Sequence, residues 1–156
     1  DPMGLRDRIL ADTKEAMKAK ETARLSTLRL ITAAIKDREI AARGDGSDHD
    51  GLSEADLTAI LSKMVKQRQE SAKAYEEGGR LELAERELDE IALIQSYLPR
   101  QLDDAETHAA IDKAISDLGA ESIRDMGRVM AELRTHYAGQ MDFGAVGLVI
   151  KERLMK

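Results

Sequence analysis

The chain has 156 residues, with no Cys, no Trp, one Phe and two Pro, 42% hydrophobic and 35% charged residues, and a formal charge of −6 at pH 7. Without thiols there is no disulfide scaffold, thiolate zinc site or cysteine nucleophile, and the scarcity of aromatics leaves Leu, Ile, Val, Met and Ala to build the core. No apolar run approaches the ~20 residues that span a bilayer, so a soluble cytoplasmic protein with no membrane partner is expected.

The apolar spacing is helical from end to end, and no stretch alternates with strand period. Leu5, Ile9, Thr13 and Met17 form a first stripe; Leu25, Leu28, Ile31 and Ile35 form a second, on a helix running to about Ala42. Residues 43–52 have the Gly/Asp composition of an exposed loop. Ser53 with Asp56 starts a third helix with the stripe Leu57, Ile60, Leu61, Met64, Val65, Arg68, Ala72 and Tyr75, and Gly78-Gly79 supplies a left-handed stop. A fourth uses Leu81, Ala84, Leu88, Ile91, Ala92 and Leu98 and ends at Pro99, which lacks an N–H and clashes with the preceding turn.

The stretch Tyr97-Leu98-Pro99-Arg100-Gln101-Leu102 therefore reads as a hinge, after which Asp103 and Glu106 form a capping-box pair. Three shorter helices follow. Ile111, Ala114, Ile115 and Leu118 mark the first, stopped by Gly119. Ser122 with Asp125 caps the second, which carries Met126, Val129, Met130 and Leu133. Asp142 caps the third, with Val146, Val149, Ile150 and Leu154. The expected fold is all-α: a four-helix N-terminal bundle over residues 3–99, then a three-helix C-terminal bundle over residues 100–156. No internal repeat is visible, and no oligomeric state follows from these residues.

Charge is uneven along the chain. Residues 3–43 hold ten Lys/Arg against six Asp/Glu, residues 44–62 hold five acids and no bases, and residues 63–73 set Lys63, Lys66, Arg68 and Lys73 against Glu70. Residues 76–90 then carry seven acids against Arg80 and Arg86. Such a pattern presents a basic face on an acidic whole, or it is a set of solvated helix faces with pairs such as Glu82 and Arg86.

Candidate chemistry is sparse. His49, His108 and His136 have no i,i+4 partner that would make a helical metal site, and each reads as a titrating surface histidine. The frame Asp45–Asp56 superficially suggests calcium, but its sixth position is Asp50, where the sharp turn needs glycine, and its last is Asp56 rather than a bidentate Glu. Carboxylates are plentiful without a desolvated pocket to tune them. No catalytic residue, metal or cofactor is expected, and catalysis by the chain alone is not expected.

Four segments carry a resemblance when read together: Leu25-Ser26-Thr27-Leu28-Arg29, Lys66-Gln67-Arg68-Gln69-Glu70-Ser71, Tyr97-Leu98-Pro99-Arg100-Gln101-Leu102 and Asp125-Met126-Gly127-Arg128-Val129-Met130. In that order and at those intervals the chain resembles the GatB/YqeY family from about Leu5 to Leu154. The resemblance implies a module like the tail of the B subunit of the glutamine-dependent tRNA amidotransferase, a carbon–nitrogen ligase that takes its amido nitrogen from glutamine. That tail engages the body of the tRNA and holds no catalytic site. By resemblance, tRNA or another RNA is the expected partner, and the candidate RNA-binding residues are Lys63, Lys66, Arg68, Arg124, Gly127 and Arg128. The alternative is an adaptor that docks on an amidotransferase or an aminoacyl-tRNA synthetase through exposed Met and Leu, without touching RNA.

Gly127 has two readings: it admits a phosphate or another backbone to the first turn of its helix, or it permits tight helix packing beside Met126, Val129 and Met130. One stretch departs from the family. Where relatives carry a proline and a lysine-rich turn, this chain reads Arg134-Thr135-His136-Tyr137-Ala138-Gly139-Gln140-Met141-Asp142-Phe143-Gly144. Gly139 and Asp142 match while the proline and most lysines do not, which removes phosphate contacts from this turn and makes Met141 and Phe143 an apolar plug.

Overall fold

The computed structural model describes residues 4–44 and 51–155, and every regular element among them is helical. In chain order these are α1 (Leu5–Lys18), α2 (Thr22–Gly44), α3 (Glu54–Glu77), α4 (Leu81–Gln95), α5 (Asp104–Leu118), a 3-10 turn (Ile123–Asp125), α6 (Met126–Tyr137) and α7 (Phe143–Leu154). Helix α2 continues through Gly44, so the expected loop begins later than its composition suggested. Positions 45–50, with His49 and half of the rejected calcium frame, lie outside the described residues.

The chain divides into two compact units, Asp1–Leu98 and Pro99–Lys156. In the first, α1–α4 share a core in which Leu28, Ile31, Leu61 and Ile94 are completely buried, joined by Ile9, Leu57 and Ile91. Each such side chain contributes roughly 1.5–3 kcal/mol by leaving water. Helices α3 and α4 form the most extensively packed pair. They are cross-linked by Arg68, whose Nε donates to Glu90 at 3.1 Å and whose Nη1 donates to the Met64 carbonyl at 3.2 Å. At the other end, the first N–H of α1 is capped across the unit by Glu54, at 3.0 Å from Leu5 N. A Cβ on Gly4 would sit 2.8 Å from that carboxylate.

The turn between α1 and α2 has no glycine, yet Lys20 takes the left-handed conformation, at φ 58°. Glu21 N donates to the Ala16 carbonyl and Lys20 N to that of Met17, which closes the helix end in the manner usually reserved for glycine. Gly79 and Gly119 do the same at the ends of α3 and α5, at φ 73° and 62°. The expected starts are present too: Ser53 with Asp56, Asp103 with Glu106 and Ser122 with Asp125 each form a capping box.

Some stripe positions differ from expectation. Met17 is 52% exposed and Leu88 48% exposed; Ala16 takes the buried place beside Met17, while Ala84, one turn before Leu88, is buried as expected. At the C-terminal end of this unit Tyr97 is the buried residue, and Leu98 is only half-buried. Tyr97 donates its hydroxyl to Asp12 at 2.5 Å, and the Arg8 guanidinium lies 5.2 Å from its ring centroid.

The second unit has its own core of Ile111, Ala114, Val129, Leu133, Met141, Val146, Ile150 and Leu154. Met141 is buried and Phe143 packs against this core, as an apolar plug would, with Arg134 5.6 Å from the Phe143 ring. The segment before α5 is held by Leu102 N donating to Gln140 O at 3.0 Å and by Gln101 donating to the Gly139 carbonyl.

Candidate nucleic-acid interface

The six candidate residues fall into two groups, one in each unit. Lys63, Lys66 and Arg68 lie on α3, and Arg124, Gly127 and Arg128 surround the start of α6. Lys63 and Lys66 are exposed. Arg68 is turned inward, its side chain only 16% exposed and paired with Glu90 at 18%. Its charge is spent holding α3 to α4, which the sequence pattern hinted at by placing it in the apolar stripe.

The second group is built on the 3-10 turn. Ser122 is extended and accepts from Arg124 N at 3.3 Å. Asp125 reaches back to accept from Glu121 N at 2.9 Å and Ser122 N at 3.3 Å, and its other oxygen takes Arg128 Nη2 at 2.9 Å. The Glu121 N–H, then the Arg128 guanidinium and the Ser122 N–H, hold the Asp125 carboxyl down to about 2. Arg128 also reaches the last-turn carbonyl of Leu118 at 3.4 Å. Its cation is thus oriented by the protein, while 54% of the side chain stays exposed.

Arg124 sits in the 3-10 turn and Arg128 in the first turn of α6. The Arg124 guanidinium has no carboxylate partner among the described residues. Between the two, Gly127 is exposed, and a Cβ built there meets nothing within 4 Å. The tight-packing reading of Gly127 is therefore corrected: the glycine against a neighbouring helix is Gly147, whose Cβ position lies 3.6 Å from Met126 Cε.

Other expectations resolve more simply. His108 Nδ1 lies 2.7 Å from Arg153, which also pairs with Asp112, and His136 pairs with Glu132 at 2.8 Å. Among the described residues no group of three or more His, Asp or Glu could hold a metal ion, and no helix is long and apolar enough to cross a membrane. Glu82 and Arg86 form no ion pair among the described residues. Sequence reasoning missed the Tyr97–Asp12 contact, since two residues 85 apart leave no local signal.

The sequence matches the model of a family described as Yqey-like protein over residues 6–154. It is 37% identical over 110 residues to altered inheritance of mitochondria protein 41, mitochondrial, of Lachancea thermotolerans, covering 70% of this chain and 55% of the relative. The protein of the same name from Eremothecium gossypii is 39% identical over 87 residues, 56% of this chain and 45% of the relative. That from Saccharomyces cerevisiae is 32% identical over 87 residues, 56% and 44%. The chain spans about half the length of the curated relatives it matches. These relatives are mitochondrial by name, which overturns the expectation of a cytoplasmic location. The physical reason is simple: a thiol-free, span-free composition is equally suited to the interior of an organelle.

Proposed function

The chain belongs to the Yqey-like protein family, and from that premise we propose that it is a non-catalytic, RNA-associated module whose ligand is tRNA or a similarly structured RNA. In this reading a four-helix bundle over residues 3–99 precedes a three-helix bundle over residues 100–156 that is related to the amidotransferase tail. Contact is made by Arg124, Gly127 and Arg128 in the second, with Lys63 and Lys66 contributing from α3 and Arg68 acting only as scaffold.

The observation that supports this reading is the open surface at Gly127. A glycine inside a helix costs about 1 kcal/mol relative to alanine, and nothing inside the protein needs the missing Cβ there. A ligand approaching between two exposed arginines would need it, because a phosphate group comes close to the helix backbone only where side chains are small. Recognition of this kind reads backbone shape and charge. With 3% aromatic residues, stacking on unpaired bases is not its basis.

The test is a titration of labelled tRNA at about 50 and 200 mM salt, the range over which phosphate contacts lose much of their affinity. Arg124→Glu/Arg128→Glu weakens binding and flattens its salt dependence. Gly127→Ala raises thermal stability while weakening binding; a variant that is more stable and binds equally well removes the reason for the glycine. A second reading, an adaptor for an amidotransferase or an aminoacyl-tRNA synthetase, draws on Leu148 within α7 and Met155 at its C-cap, which are 67% and 62% exposed. Leu148→Glu/Met155→Glu leaves RNA binding intact if the RNA reading holds.

A further inference from the structure

We propose that α2 carries a second RNA-backbone contact, a straight row formed by Arg29, Lys36 and Arg43. The proposal rests on the RNA reading above and adds a surface in the other unit. The three residues are seven apart on one unbroken helix, Thr22–Gly44. At a rise of 1.5 Å per residue they stand roughly 10 Å from one another, about 21 Å end to end. Seven residues fall short of two turns by only ~20°, so the three side chains leave the helix on nearly the same line.

All three are exposed, while Leu28, Ile31 and Ile35 bury a face roughly 100–140° around the helix from the row. Their neighbours in the same hairpin behave differently. Arg6 is tied to Glu39 at 2.6 Å, and Arg24 lies between Asp12 at 3.8 Å, Glu15 at 3.9 Å and Glu21 at 3.5 Å. Arg29, Lys36 and Arg43 have no carboxylate partner among the described residues. Carboxylates are close at hand in the chain, since Asp37 follows Lys36, but one residue turns it ~100° around the helix. The protein thus neutralises the cations between its helices and leaves an aligned set facing outward, despite a net charge of −6.

A regular line of isolated cations on a rigid rod complements a regular line of phosphates. It is a poor membrane anchor, because the exposed Leu30 and Ile40 of α2 are ten residues apart and form no continuous apolar strip to enter lipid. The row holds no aromatic side chain on which unpaired bases would stack.

The test compares tRNA binding by the full chain with Arg29→Glu/Lys36→Glu/Arg43→Glu, and with Lys18→Glu/Arg80→Glu/Arg86→Glu as a variant of equal charge change off the row. The row variant is expected to lose at least tenfold in affinity at about 100 mM salt and to lower the slope of log K against log salt by roughly 2 to 3, for three lost phosphate contacts. The off-row variant retains most of the slope. Circular dichroism verifies folding, and Arg29→Gln/Lys36→Gln/Arg43→Gln serves if the glutamates unfold α2. Equal losses in the row and off-row variants overturn the inference, leaving net charge as the cause. Loss of binding in Arg124→Glu/Arg128→Glu with none in the row variant also overturns it, while leaving the RNA reading in place. Wild-type protein that ignores tRNA at low salt overturns both. Polyglutamate that competes as well as tRNA of equal charge overturns it in favour of an acidic protein.

Discussion

Removing one oxygen atom from Tyr97 is expected to loosen the first unit and leave the second untouched. In Tyr97→Phe the ring stays buried, at 6% exposure, and keeps Arg8 over its face. The hydrogen bond to Asp12 is lost. Bonds to a charged acceptor contribute about 1.5–3 kcal/mol, and Asp12 retains 32% exposure of its side chain, so water replaces part of the loss. The expected destabilisation is therefore about 1.5–2 kcal/mol, at the lower end of that range.

Burial, followed by the bond to Asp12, pushes the Tyr97 phenol well above its ordinary range. A group whose folded pKa is raised stabilises the fold below its unfolded pKa and loses that contribution above it. The deficit of the variant is therefore full at neutral pH and shrinks as pH rises past about 10. Hydrogen exchange reads the two units separately. Protection in α1 and α4 should fall roughly 10- to 30-fold, while α5–α7 are unchanged. A cycle with Asp12→Asn should show coupling between the two sites. Unchanged protection in α1 and α4, or an equal loss in α5–α7, refutes the reasoning.

Three further outcomes follow from local geometry. Lys20→Gly removes the penalty of a left-handed lysine and stabilises the first unit by about 1 kcal/mol, read as slower exchange in α1 and α2. Gly119→Ala, at φ 62°, destabilises the second unit by a similar ~1 kcal/mol, read by thermal melting. Asp125 and Glu106 are both lowered to about 2 in the folded chain, Glu106 chiefly by the Arg100 guanidinium and Asp125 chiefly by the Glu121 N–H. Their stabilisation is full above the unfolded carboxylate range near 4 and fades as pH falls from there toward 2. Asp125→Asn should flatten that acid limb, followed as helicity of the second unit between about pH 5 and 2.

Helix boundaries were legible because they rest on local chemistry: Ser53, Asp103 and Ser122 each bond to a residue three or fewer positions on. Which apolar residues fill the core was less so. Steps of four overshoot a turn by 40°, so the stripe Leu5, Ile9, Thr13, Met17 winds off the buried face and Ala16 returns to it. The break at Lys20 carried no glycine to announce it.

At the candidate site, the inward turn of Arg68 was hinted at by its place in the apolar stripe, whereas the sequence left Gly127 open between two readings. Arg68 faces Glu90, 22 residues away, and Gly127 faces nothing in the protein. The Glu90 partner and the open space at Gly127 depend on tertiary neighbours that no local pattern encodes. The seven-residue spacing of Arg29, Lys36 and Arg43 is present in the sequence, but their shared exposure is a tertiary fact.

The most direct measurement is the affinity of the full chain for labelled tRNA at about 50 and then 200 mM salt, with Arg124→Glu/Arg128→Glu alongside. Binding that is micromolar or tighter at low salt, weakens steeply at high salt and is further weakened in the variant is the result expected of an RNA-associated module. Absence of binding at low salt, or binding indifferent to both salt and the two arginines, contradicts it.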